Sequence, residues 1–415
     1  MIIILTVVEA LMKIQYAIFF GIFFMVYAAI NIYIGSRSWQ AFGRFFPPGS
    51  GIIYWAAFTL LALSFIAGRF AENYLPGTLG GLLTVIGSYW LAAMNYLFVT
   101  LVLIDIIGLL HRGLNFIPAP VMQHPELTGL AVVLLVTGII IFGAWNARHP
   151  RLVHYDITIP KSAGSLNELH LVVVSDIHLG KTIHNGRLLP LVQQINNLNP
   201  DLILLPGDTV EESVSTFVEQ NMSDSLRMLK AKYGTFAVFG NHEYIGGQPD
   251  DIHRHLQEAG ITILRDEYRE IAGSFQLVGR DYQHGERFGG AGRQELSQVM
   301  AGLDRSLPVI MLDHQPTNLK EGQEQGVDLQ ISGHTHLGQL FPLNIFTGLL
   351  FETDWGYLRK GDFQLIVSCG YGTWGPPIRV GNVPEIVDID IHFTGPAGQD
   401  ADAVEPVMLT MGRLW

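Results

Sequence analysis

The sequence predicts an all-α membrane region followed by an α/β domain. Hydrophobic residues make up 49% of the 415-residue chain and charged residues only 15%, a balance too apolar for an ordinary soluble enzyme. The long apolar stretches all lie before residue 150, and after residue 151 short runs of β-forming residues alternate with helical stretches. We therefore expect a membrane region over residues 1–150, an α/β domain over 151–394 and a flexible tail over 395–415, which starts with polar, Gly- and Ala-rich sequence.

The membrane region contains four apolar stretches, at about residues 14–34, 52–67, 82–110 and 130–145. A helix needs about 20 mainly apolar residues to cross a bilayer. The first and third stretches meet this length, and the second and fourth need a few flanking residues. Buried core helices are the alternative interpretation. A cleavable signal peptide fits poorly, because three further apolar stretches follow the first.

Basic residues give a weak indication of orientation. Each orientation places one set of them in the cytoplasm: Lys13, Arg69, Arg148 and Arg151 if the termini are inside, and Arg37, Arg44 and Arg112 if they are outside. The positive-inside rule therefore favours a cytoplasmic α/β domain. Asp105 lies within the third apolar stretch, where a carboxyl group is costly. It is either a functional residue or a protonated residue that packs between helices.

Charge and cysteine content exclude several classes of protein. The first 150 residues carry a net charge of +2, so the remainder carries −14 of the total −12. An acidic domain is a poor partner for nucleic acid, whose phosphates require a basic surface. The single cysteine, Cys369, excludes both an intramolecular disulfide and a cysteine-based zinc site.

The α/β domain is predicted from continuous apolar runs that are separated by helical sequence. The first predicted strands are 171–174, 202–205 and 236–239, with helices at about 186–198 and 223–231. Continuous apolar strands indicate a sheet that is covered on both faces. Further β-rich segments predict a second sheet packed on the first: 275–278, 308–312, 329–331, 363–368 and 386–391.

Side chains of the metal-ligand type follow these strands in five short blocks. The blocks are Asp176-Ile177-His178, Gly207-Asp208, Gly240-Asn241-His242-Glu243, Asp313-His314 and Gly333-His334-Thr335-His336. The carboxyl ends of neighbouring parallel strands meet at one edge of a sheet, so these blocks are expected to converge. Each block alone is typical of an ordinary turn. Their number and order carry the prediction.

The residue types in these blocks suit two metal ions. Asp176 and His178 stand two positions apart, which in an extended segment points both side chains the same way. Asp208 has two carboxylate oxygens and can bridge two ions, whereas Asn241 supplies a neutral oxygen. The set exceeds the needs of one ion and fits a pair about 3.5–4 Å apart. Ligation by nitrogen and oxygen without sulfur suits Mn, Fe, Zn or Co.

The series of blocks resembles the calcineurin-like metallophosphoesterase superfamily over about residues 169–391. The forms Gly333-His334-Thr335-His336-Leu337-Gly338-Gln339 and Gly372-Thr373-Trp374-Gly375-Pro376-Pro377-Ile378-Arg379 resemble its membrane-associated bacterial branch. That branch includes phosphodiesterases and UDP-diacylglucosamine pyrophosphohydrolases. The one small departure is Leu337, where the branch often has a small residue. The resemblance implies a four-layer α/β/β/α sandwich with a dinuclear site at the strand ends.

The resemblance also implies a role for each matched residue. Asp176, His178 and His336 match one metal site. Asn241, His314 and His334 match the other. Asp208 matches the bridging ligand, and His242 matches the catalytic histidine. Asp208 or Glu243 is expected to orient His242, with a helix first-turn acid as the equal alternative for Glu243.

The expected function is a membrane-anchored, two-metal phosphohydrolase that cleaves a phosphodiester or pyrophosphate bond by attack of a metal-bound hydroxide. The metals are two divalent ions, Mn, Fe or Zn. Its expected location is a bacterial inner membrane, with the lipid bilayer as partner and a lipid-linked substrate, either UDP-diacylglucosamine-like or a phospholipid. The alternative is a transport or sensory protein that its phosphoesterase domain regulates.

Two features have competing interpretations. Arg379 binds a substrate phosphate or forms a structural ion pair. The apolar stretch 340–350 faces the bilayer or an acyl chain, or it is an ordinary core segment. Histidines without a ligand-spaced partner are expected at the surface, with a position near the site as the alternative for His184: His184, His253, His255 and His284.

Overall fold

A computed structural model describes residues 2–71, 77–211, 214–288, 290, 292–395 and 409–413. The chain forms two compact units, Met1–Phe142 and Gly143–Trp415. The boundary lies inside a helix, eight residues before the predicted start of the α/β domain at residue 151.

The first unit is built from helices. They are α1 (Ile2–Phe42), a 3₁₀ turn (Gly43–Phe45), α2 (Gly51–Ala71), α3 (Gly77–Leu114), α4 (Ala119–Gln123) and α5 (Pro125–Asn146), whose last turn belongs to the second unit. Four segments are long and apolar enough to cross a membrane: Phe20–Phe45, Gly51–Gly68, Leu79–Leu114 and Pro125–Asn146. Many of their large apolar side chains are exposed on the protein, as expected of helices that face lipid. The four predicted apolar helices are thus present.

Asp105 has polar partners within the first unit. Its carboxylate forms an ion pair with Arg37, and the Tyr33 hydroxyl donates to its other oxygen at 2.6 Å. These contacts join α1 and α3, within two of the segments that are long and apolar enough to span a bilayer. Both predicted interpretations of Asp105 stay predictions.

The second unit contains two sheets. The strands are β1 (Arg151–Ile159), β2 (Glu168–Val173), β3 (Leu202–Pro206), β4 (Thr235–Val238), β5 (Ile261–Ile263), β6 (Glu267–Ile271), β7 (Phe275–Gly279), β8 (Val309–Leu312), β9 (Leu329–Ser332), β10 (Gly356–Lys360), β11 (Phe363–Val367), β12 (Glu385–Phe393) and β13 (Leu409–Arg413). One sheet has the order β13-β1-β12-β2-β3-β4-β5 and the other β10-β11-β9-β8-β7-β6.

Helices connect and cover the strands. They are α6 (Asn185–Asn197), α7 (Val214–Glu219), α8 (Met222–Leu226), α9 (His242–Ile245), α10 (Pro249–Glu258), α11 (Leu296–Val299), α12 (Leu319–Gln325) and α13 (Asn344–Leu350), with 3₁₀ turns at Gly285–Phe288 and His336–Gly338. His184 caps α6, because its Nδ1 accepts the backbone N–H of Gly186 at 3.1 Å. His184 therefore has a local structural role.

Three apolar clusters define four layers. The inner faces of the two sheets share one core, in which Leu204 of β3 and Ile310 of β8 are fully buried. The outer face of the first sheet packs against α6, α8 and α10, and that of the second against α11 and α12. This is the predicted α/β/β/α sandwich. It forms because β3, β4, β8 and β9 are buried on both faces.

The C-terminal segment differs in part from the expectation. Most of the predicted flexible tail, residues 396–408, lies outside the described residues. Leu409–Arg413, however, forms β13, which pairs antiparallel with β1. The composition in this part changes from Gly, Ala and Asp to β-forming and apolar residues, so a strand at the edge of the sheet replaces a flexible end.

Parallel pairing directs several strand ends to one edge of the sandwich. β2 pairs in parallel with β3 and β3 with β4, while β8 pairs in parallel with β9 in the second sheet. The five predicted ligand blocks follow these five strands.

Candidate metal centre

The structure brings the predicted ligand residues together. Asp176 and His178 follow β2, Asp208 follows β3, Asn241 and His242 follow β4, His314 follows β8, and His334 and His336 follow β9. Asp176 is fully buried, and His178, Asp208, His314 and His336 are each 2% exposed. Buried carboxylates and imidazoles at this density require partners that balance their charge.

Asp176, His178 and His336 form the first group. His336 Nε2 lies 3.3 Å from Asp176 Oδ1 and 3.0 Å from His178 Nε2. Their nearest ligand-type atoms all lie within 4.8 Å of one another. The three residues can therefore surround one ion.

Asp208, His314 and His334 form the second group. His314 Nε2 lies 3.1 Å from Asp208 Oδ2 and 3.3 Å from His334 Nδ1. The other ring nitrogen of His314, Nδ1, donates to the carbonyl of Pro206 at 2.8 Å. Because that carbonyl can only accept, it fixes the tautomer and leaves the Nε2 lone pair free for a ligand in the neutral ring.

Asp208 also belongs to a third group with His178 and His242. Its Oδ2 lies 4.0 Å from His178 Nε2, and its Oδ1 accepts the backbone N–H of His242 at 2.9 Å. A carboxylate shared between neighbouring groups has the position that a bridging ligand requires.

Asn241 tests whether the site fits metal ions. Its side-chain Oδ1 is buried and has no hydrogen-bond partner among the described residues. A buried oxygen without a partner is costly unless a ligand completes it. Asn241 lines the same cavity as Asp208, His242, His334 and His336. The donor set of carboxylate, amide and imidazole groups fits divalent metal ions.

The backbone at the ligands is unusual. Asp176, His178, Asp208 and His336 have φ of 53°, 54°, 51° and 49°. The prediction that Asp176 and His178 lie in an extended segment is therefore wrong, although both side chains reach the site. Positive φ in residues other than glycine is uncommon and gathers at functional sites.

Two glycines make room for the ligands. A Cβ at Gly240 would lie 2.2 Å from Asp208 Oδ1, and a Cβ at Gly333 would lie 2.2 Å from Asp176 Oδ2. Neither position can hold a side chain without displacing a carboxylate. These glycines therefore serve close approach to the ligands.

Burial and charge set the ionisation of the group. Burial alone would raise the pKa of Asp208, but the positive charge of protonated His314 outweighs it and holds the pKa well below its ordinary value. Burial would lower the pKa of His314, but the negative charge of Asp208 outweighs it and raises this pKa to about 10. Burial lowers the pKa of His334 to about 3 and that of His336 to about 4. Both rings are therefore neutral near pH 7, the form that binds metal.

Glu211 is a site residue that the sequence analysis missed. Its Oε2 lies 2.7 Å from His178 Nδ1, and its Oε1 lies 3.4 Å from His242 Nδ1. Burial would raise the pKa of Glu211, but the charges of His242 and His178 hold it below its ordinary value. Its only signal in the sequence is an acid three residues after Asp208.

Glu243 lies in the first turn of α9, as one of its two predicted interpretations expects. Its carboxylate accepts backbone N–H groups from Asp208 at 3.0 Å, Gly240 at 2.8 Å and Val210 at 3.0 Å. It therefore ties the loop after β3 to the loop after β4. Two other carboxylates lie near the ring of His242: that of Glu211, 3.4 Å from Nδ1, and that of Asp208, which is in the same ligand group.

Arg379 is enclosed by the loop that carries it. It is fully buried, and its guanidinium donates to the carbonyl of Gly372 at 2.6 Å and to Asn382 Oδ1 at 3.1 Å. Its Nη2 lies 3.2 Å from His336 Nδ1. It lies behind His336 and forms no ion pair with a carboxylate among the described residues, so the predicted structural ion pair is not found there, and the predicted contact with a substrate phosphate stays a prediction.

Asp313 is turned away from the metal ligands. Its carboxylate forms a bidentate ion pair with Arg293. Of the Asp313-His314 block, only His314 enters the site.

A cavity of about 380 Å³ opens over the ligands. Asp208, Asn241, His242, His334 and His336 line its floor, and Phe346, Phe351 and Trp374 line its apolar part. The cavity thus combines a polar, metal-binding floor with apolar walls.

A four-layer sandwich with such a ligand cluster at its strand ends defines a metal-dependent phosphoesterase domain. The family model for calcineurin-like phosphoesterases matches residues 169–338. Together with the relatives below, this match shows that the chain belongs to the calcineurin-like phosphoesterases. This family carries a dinuclear metal centre, and the side-chain groups described above fit one.

Similar proteins occur in bacteria and animals. An uncharacterized metallophosphoesterase of Aquifex aeolicus is 34% identical over 235 residues, which cover 55% of this chain and 87% of that protein. A Campylobacter jejuni metallophosphoesterase is 30% identical over 63% of this chain and 69% of its own length. A zebrafish (Danio rerio) transmembrane protein with a metallophosphoesterase domain is 31% identical over 62% of this chain. The match spans 61% of the zebrafish protein.

Proposed function

We propose that the protein is a membrane-anchored phosphohydrolase that uses two metal ions to cleave a phosphodiester or pyrophosphate bond. The observation that carries this proposal is the position of Asp208 between two ligand groups, beside the buried oxygen of Asn241. In this proposal Asp176, His178 and His336 hold one ion. Asn241, His314 and His334 would hold the other, and the carboxylate of Asp208 would be shared between them.

When bound, the two ions lower the pKa of a water molecule and neutralise charge on the phosphoryl group. The remaining work belongs to the side chains. His242 donates a proton to the leaving oxygen. Glu211, beside Nδ1 of His242, holds the ring and leaves Nε2 to face the leaving group. Glu211 also holds His178 through Nδ1, so one carboxylate orients both rings.

A lipid-linked substrate is the second part of the proposal. The apolar helices bring the domain to a bilayer, and the apolar side chains Phe346 and Trp374 stand beside the metal-binding floor. A nucleotide-linked glycolipid such as UDP-diacylglucosamine, or a phospholipid, presents a phosphoryl group next to acyl chains. Both parts of the cavity would then contact the substrate.

The test uses the purified full chain in detergent, with bis-p-nitrophenyl phosphate and added Mn²⁺. Asp208→Asn should lower kcat by about 1000-fold, because metal-assisted charge stabilisation is worth several kcal/mol. Asp224→Asn is the matched control, since this aspartate is exposed and pairs with Arg227. Metal analysis of the same sample should find two ions per chain and tell Mn, Fe and Zn apart.

A panel of phospholipids, nucleotide-linked lipids and cyclic nucleotides would then identify the substrate class. Metal-loaded protein that leaves every member of the panel intact, as well as bis-p-nitrophenyl phosphate, would overturn the proposed activity.

We also propose a cytoplasmic position for the domain, on the inner membrane of a bacterium. Arg37 is paired with Asp105 of α3, so we do not count it as a loop charge for the opposite orientation. Only Arg44 and Arg112 then favour a domain outside the cytoplasm. Lys13, Arg148 and the other basic residues on the same side as the domain favour a cytoplasmic domain. A reporter enzyme fused after Trp415 should be active only in its cytoplasmic form.

The ion pair of Asp105 favours a second candidate function, a transport or sensory protein regulated by its phosphoesterase domain. Paired charges within an apolar helical region often mark a pathway for ions or protons. Loss of ion flux into proteoliposomes on Asp105→Asn, with hydrolysis intact, would support this candidate. Unchanged flux would exclude it.

A further inference from the structure

Helix α13 has its apolar side chains on the outside. Ile345, Phe346, Leu349 and Leu350 are all exposed, the last two at 77% and 78%, and no residue of the helix is buried. Its polar side faces the protein instead, where the Thr347 hydroxyl donates to Asp354 Oδ2 at 2.6 Å. This is the reverse of a normal surface helix, whose apolar stripe faces the core.

The exposed apolar residues extend beyond the helix. We call the following set the apolar rim: Phe341, Ile345, Phe346, Leu349, Leu350 and Trp374. Residues 339–351 carry no charged side chain. Contiguous apolar surface of this kind marks an interaction site.

Hydrogen bonds connect the apolar rim to the last turn of the final membrane helix. The backbone N–H of Phe341 donates to the carbonyl of Val380 at 2.8 Å. Arg379, the residue before Val380, donates its backbone N–H to the carbonyl of Gly143 in α5 at 3.0 Å. The Asn146 side chain then donates to the carbonyl of Arg379 at 3.0 Å. The rim therefore begins beside the point where α5 ends.

Aromatic side chains support this placement. Trp145, in the last turn of α5, is 43% exposed, and Trp374 in the rim is 48% exposed. Tryptophan collects at the boundary between lipid and water, where one part of the ring is apolar and the other can hydrogen-bond. Both residues have the exposure that the membrane interface favours.

The apolar rim also borders the metal-binding cavity. Phe346 and Trp374 line the cavity whose floor contains His334 and His336. The carbonyl of Asp354 accepts from the Thr335 hydroxyl at 2.6 Å, so the segment that anchors α13 also holds the residue between these two histidines.

We propose that the apolar rim inserts into the interfacial layer of the bilayer, so that the metal-binding cavity takes phosphoesters whose apolar part remains in the membrane. The inference rests on the proposed phosphohydrolase function for its substrate, but the insertion is a separate physical claim. Since the rim lacks basic residues, insertion depends on apolar burial and needs no anionic lipid.

Site-directed labelling tests the insertion directly. The native Cys369 is fully buried, so an environment-sensitive thiol probe will react with an introduced cysteine. Leu349→Cys and, as the control, the exposed Val218→Cys are labelled in the full chain, which is then reconstituted into dioleoylphosphatidylcholine vesicles. We expect lipid-attached nitroxides to quench the probe at position 349 and aqueous iodide to quench the probe at 218.

Two outcomes would overturn the insertion. Quenching by iodide at position 349, equal to that at 218, would show a rim in water. Protection from both quenchers at 349 would show that a second copy or another part of the chain covers it.

Kinetics test the consequence for the substrate. The variant L349S/L350S should lower kcat/KM about tenfold for a two-chain phosphodiester carried in phosphatidylcholine vesicles, a loss equivalent to about 1.4 kcal/mol of binding. Turnover of soluble bis-p-nitrophenyl phosphate should not change, because neither leucine lines the cavity. The control V218S/M228S replaces two exposed apolar residues elsewhere and should change neither rate.

The two proposals fail in different ways. An equal loss on both substrates, or no loss on either, would overturn the role of the rim in substrate choice. A chain that hydrolyses neither substrate would overturn the proposed enzyme activity, and the labelling experiment would still decide whether the rim inserts.

Discussion

The carboxylate of Glu211 lies 2.7 Å from Nδ1 of His178. This contact fixes the ring from the side opposite to His336, which lies 3.0 Å from its Nε2. An acid behind a ligating histidine orients the ring and raises the basicity of its other nitrogen.

Glu211→Gln should weaken metal binding without unfolding the domain. Loss of such a partner lowers metal affinity by about 10–100-fold. Titration calorimetry with Mn²⁺ on chelator-treated protein measures this directly. Glu219→Gln, on the exposed side of α7, is the control. Unchanged affinity in the Glu211 variant would show that the contact does not support the ligand.

Glu243→Ala should destabilise the domain. Three buried backbone N–H groups lose their acceptor, and each unsatisfied donor costs about 1–3 kcal/mol. We expect the Tm of the detergent-solubilised chain to fall by about 10 °C, at about 2–4 °C per kcal/mol for a domain of this size. Glu243→Gln keeps an acceptor oxygen and should lose less. A Tm within one degree of the parent in the alanine variant would contradict the role of Glu243.

Gly333→Ala should remove activity through Asp176. The new Cβ would lie 1.9 Å from Ser175 Oγ and 2.2 Å from Asp176 Oδ2, so the carboxylate must move. Hydrolysis of bis-p-nitrophenyl phosphate should fall at least about 100-fold, the effect of a displacement of about 1 Å at a catalytic group. Gly292→Ala, which would meet no atom within 4 Å, is the matched control. Full metal content with normal turnover in Gly333→Ala would contradict the prediction.

A His–Asp–His bridge away from the metal site should make stability depend on pH. Asp388 of β12 lies 2.6 Å from His170 Nε2 and 2.9 Å from His154 Nδ1. The hydrogen bond to Asp388 raises the pKa of His170 above its ordinary 6.5. Burial would raise the pKa of Asp388, but the hydrogen bonds from both histidines outweigh it and hold that pKa below 3.8.

The directions of these two pKa shifts define the pH range over which the bridge stabilises the fold. The raised pKa of His170 stabilises the fold below pH 6.5, and this contribution disappears as the pH rises through the folded-state value. The lowered pKa of Asp388 stabilises the fold above pH 3.8 and is lost on further acidification. His170→Gln should therefore cost about 1 kcal/mol at pH 6 and clearly less at pH 8.5. Thermal unfolding at the two pH values checks this, and an equal cost at both would contradict it.

The sequence predicted the strands that precede the ligands, but it did not predict β1, β5, β6, β10 or β13. Each apolar run ends in a polar block, and the ends of parallel strands must converge, so the positions of Asp208, Asn241 and His314 followed from local sequence. A segment that faces the bilayer or an acyl chain is one of the two predicted interpretations of residues 340–350, and a core segment is the other. Composition alone could not decide between them, because a core helix and a lipid-facing helix have the same residues.

The sequence could not predict the contacts of the residues that support the metal ligands, and the reason is physical. Glu211, Glu243 and Arg379 act through contacts between separate loops, and nothing local specifies which backbone groups lie within their reach. An arginine near a phosphate-binding site is typical of a substrate ligand, but the loop after Gly372 surrounds Arg379. Gly333 and Gly370 likewise approach Asp176 from separate loops, where an added Cβ would lie 2.2 Å from its Oδ2 and 2.7 Å from its Cβ.

The contact between α5 and the loop that carries Arg379 bears on how a soluble fragment should be cut. Asn146 is 2% exposed and donates to the carbonyls of Arg379 and Asn382, at 3.0 and 2.7 Å. A truncation that starts at Arg151 would remove this donor and uncover the loop behind His336. A fragment that starts at or before Gly143 would keep the loop closed, so crystallisation and enzyme assays of the isolated domain should begin from that longer version.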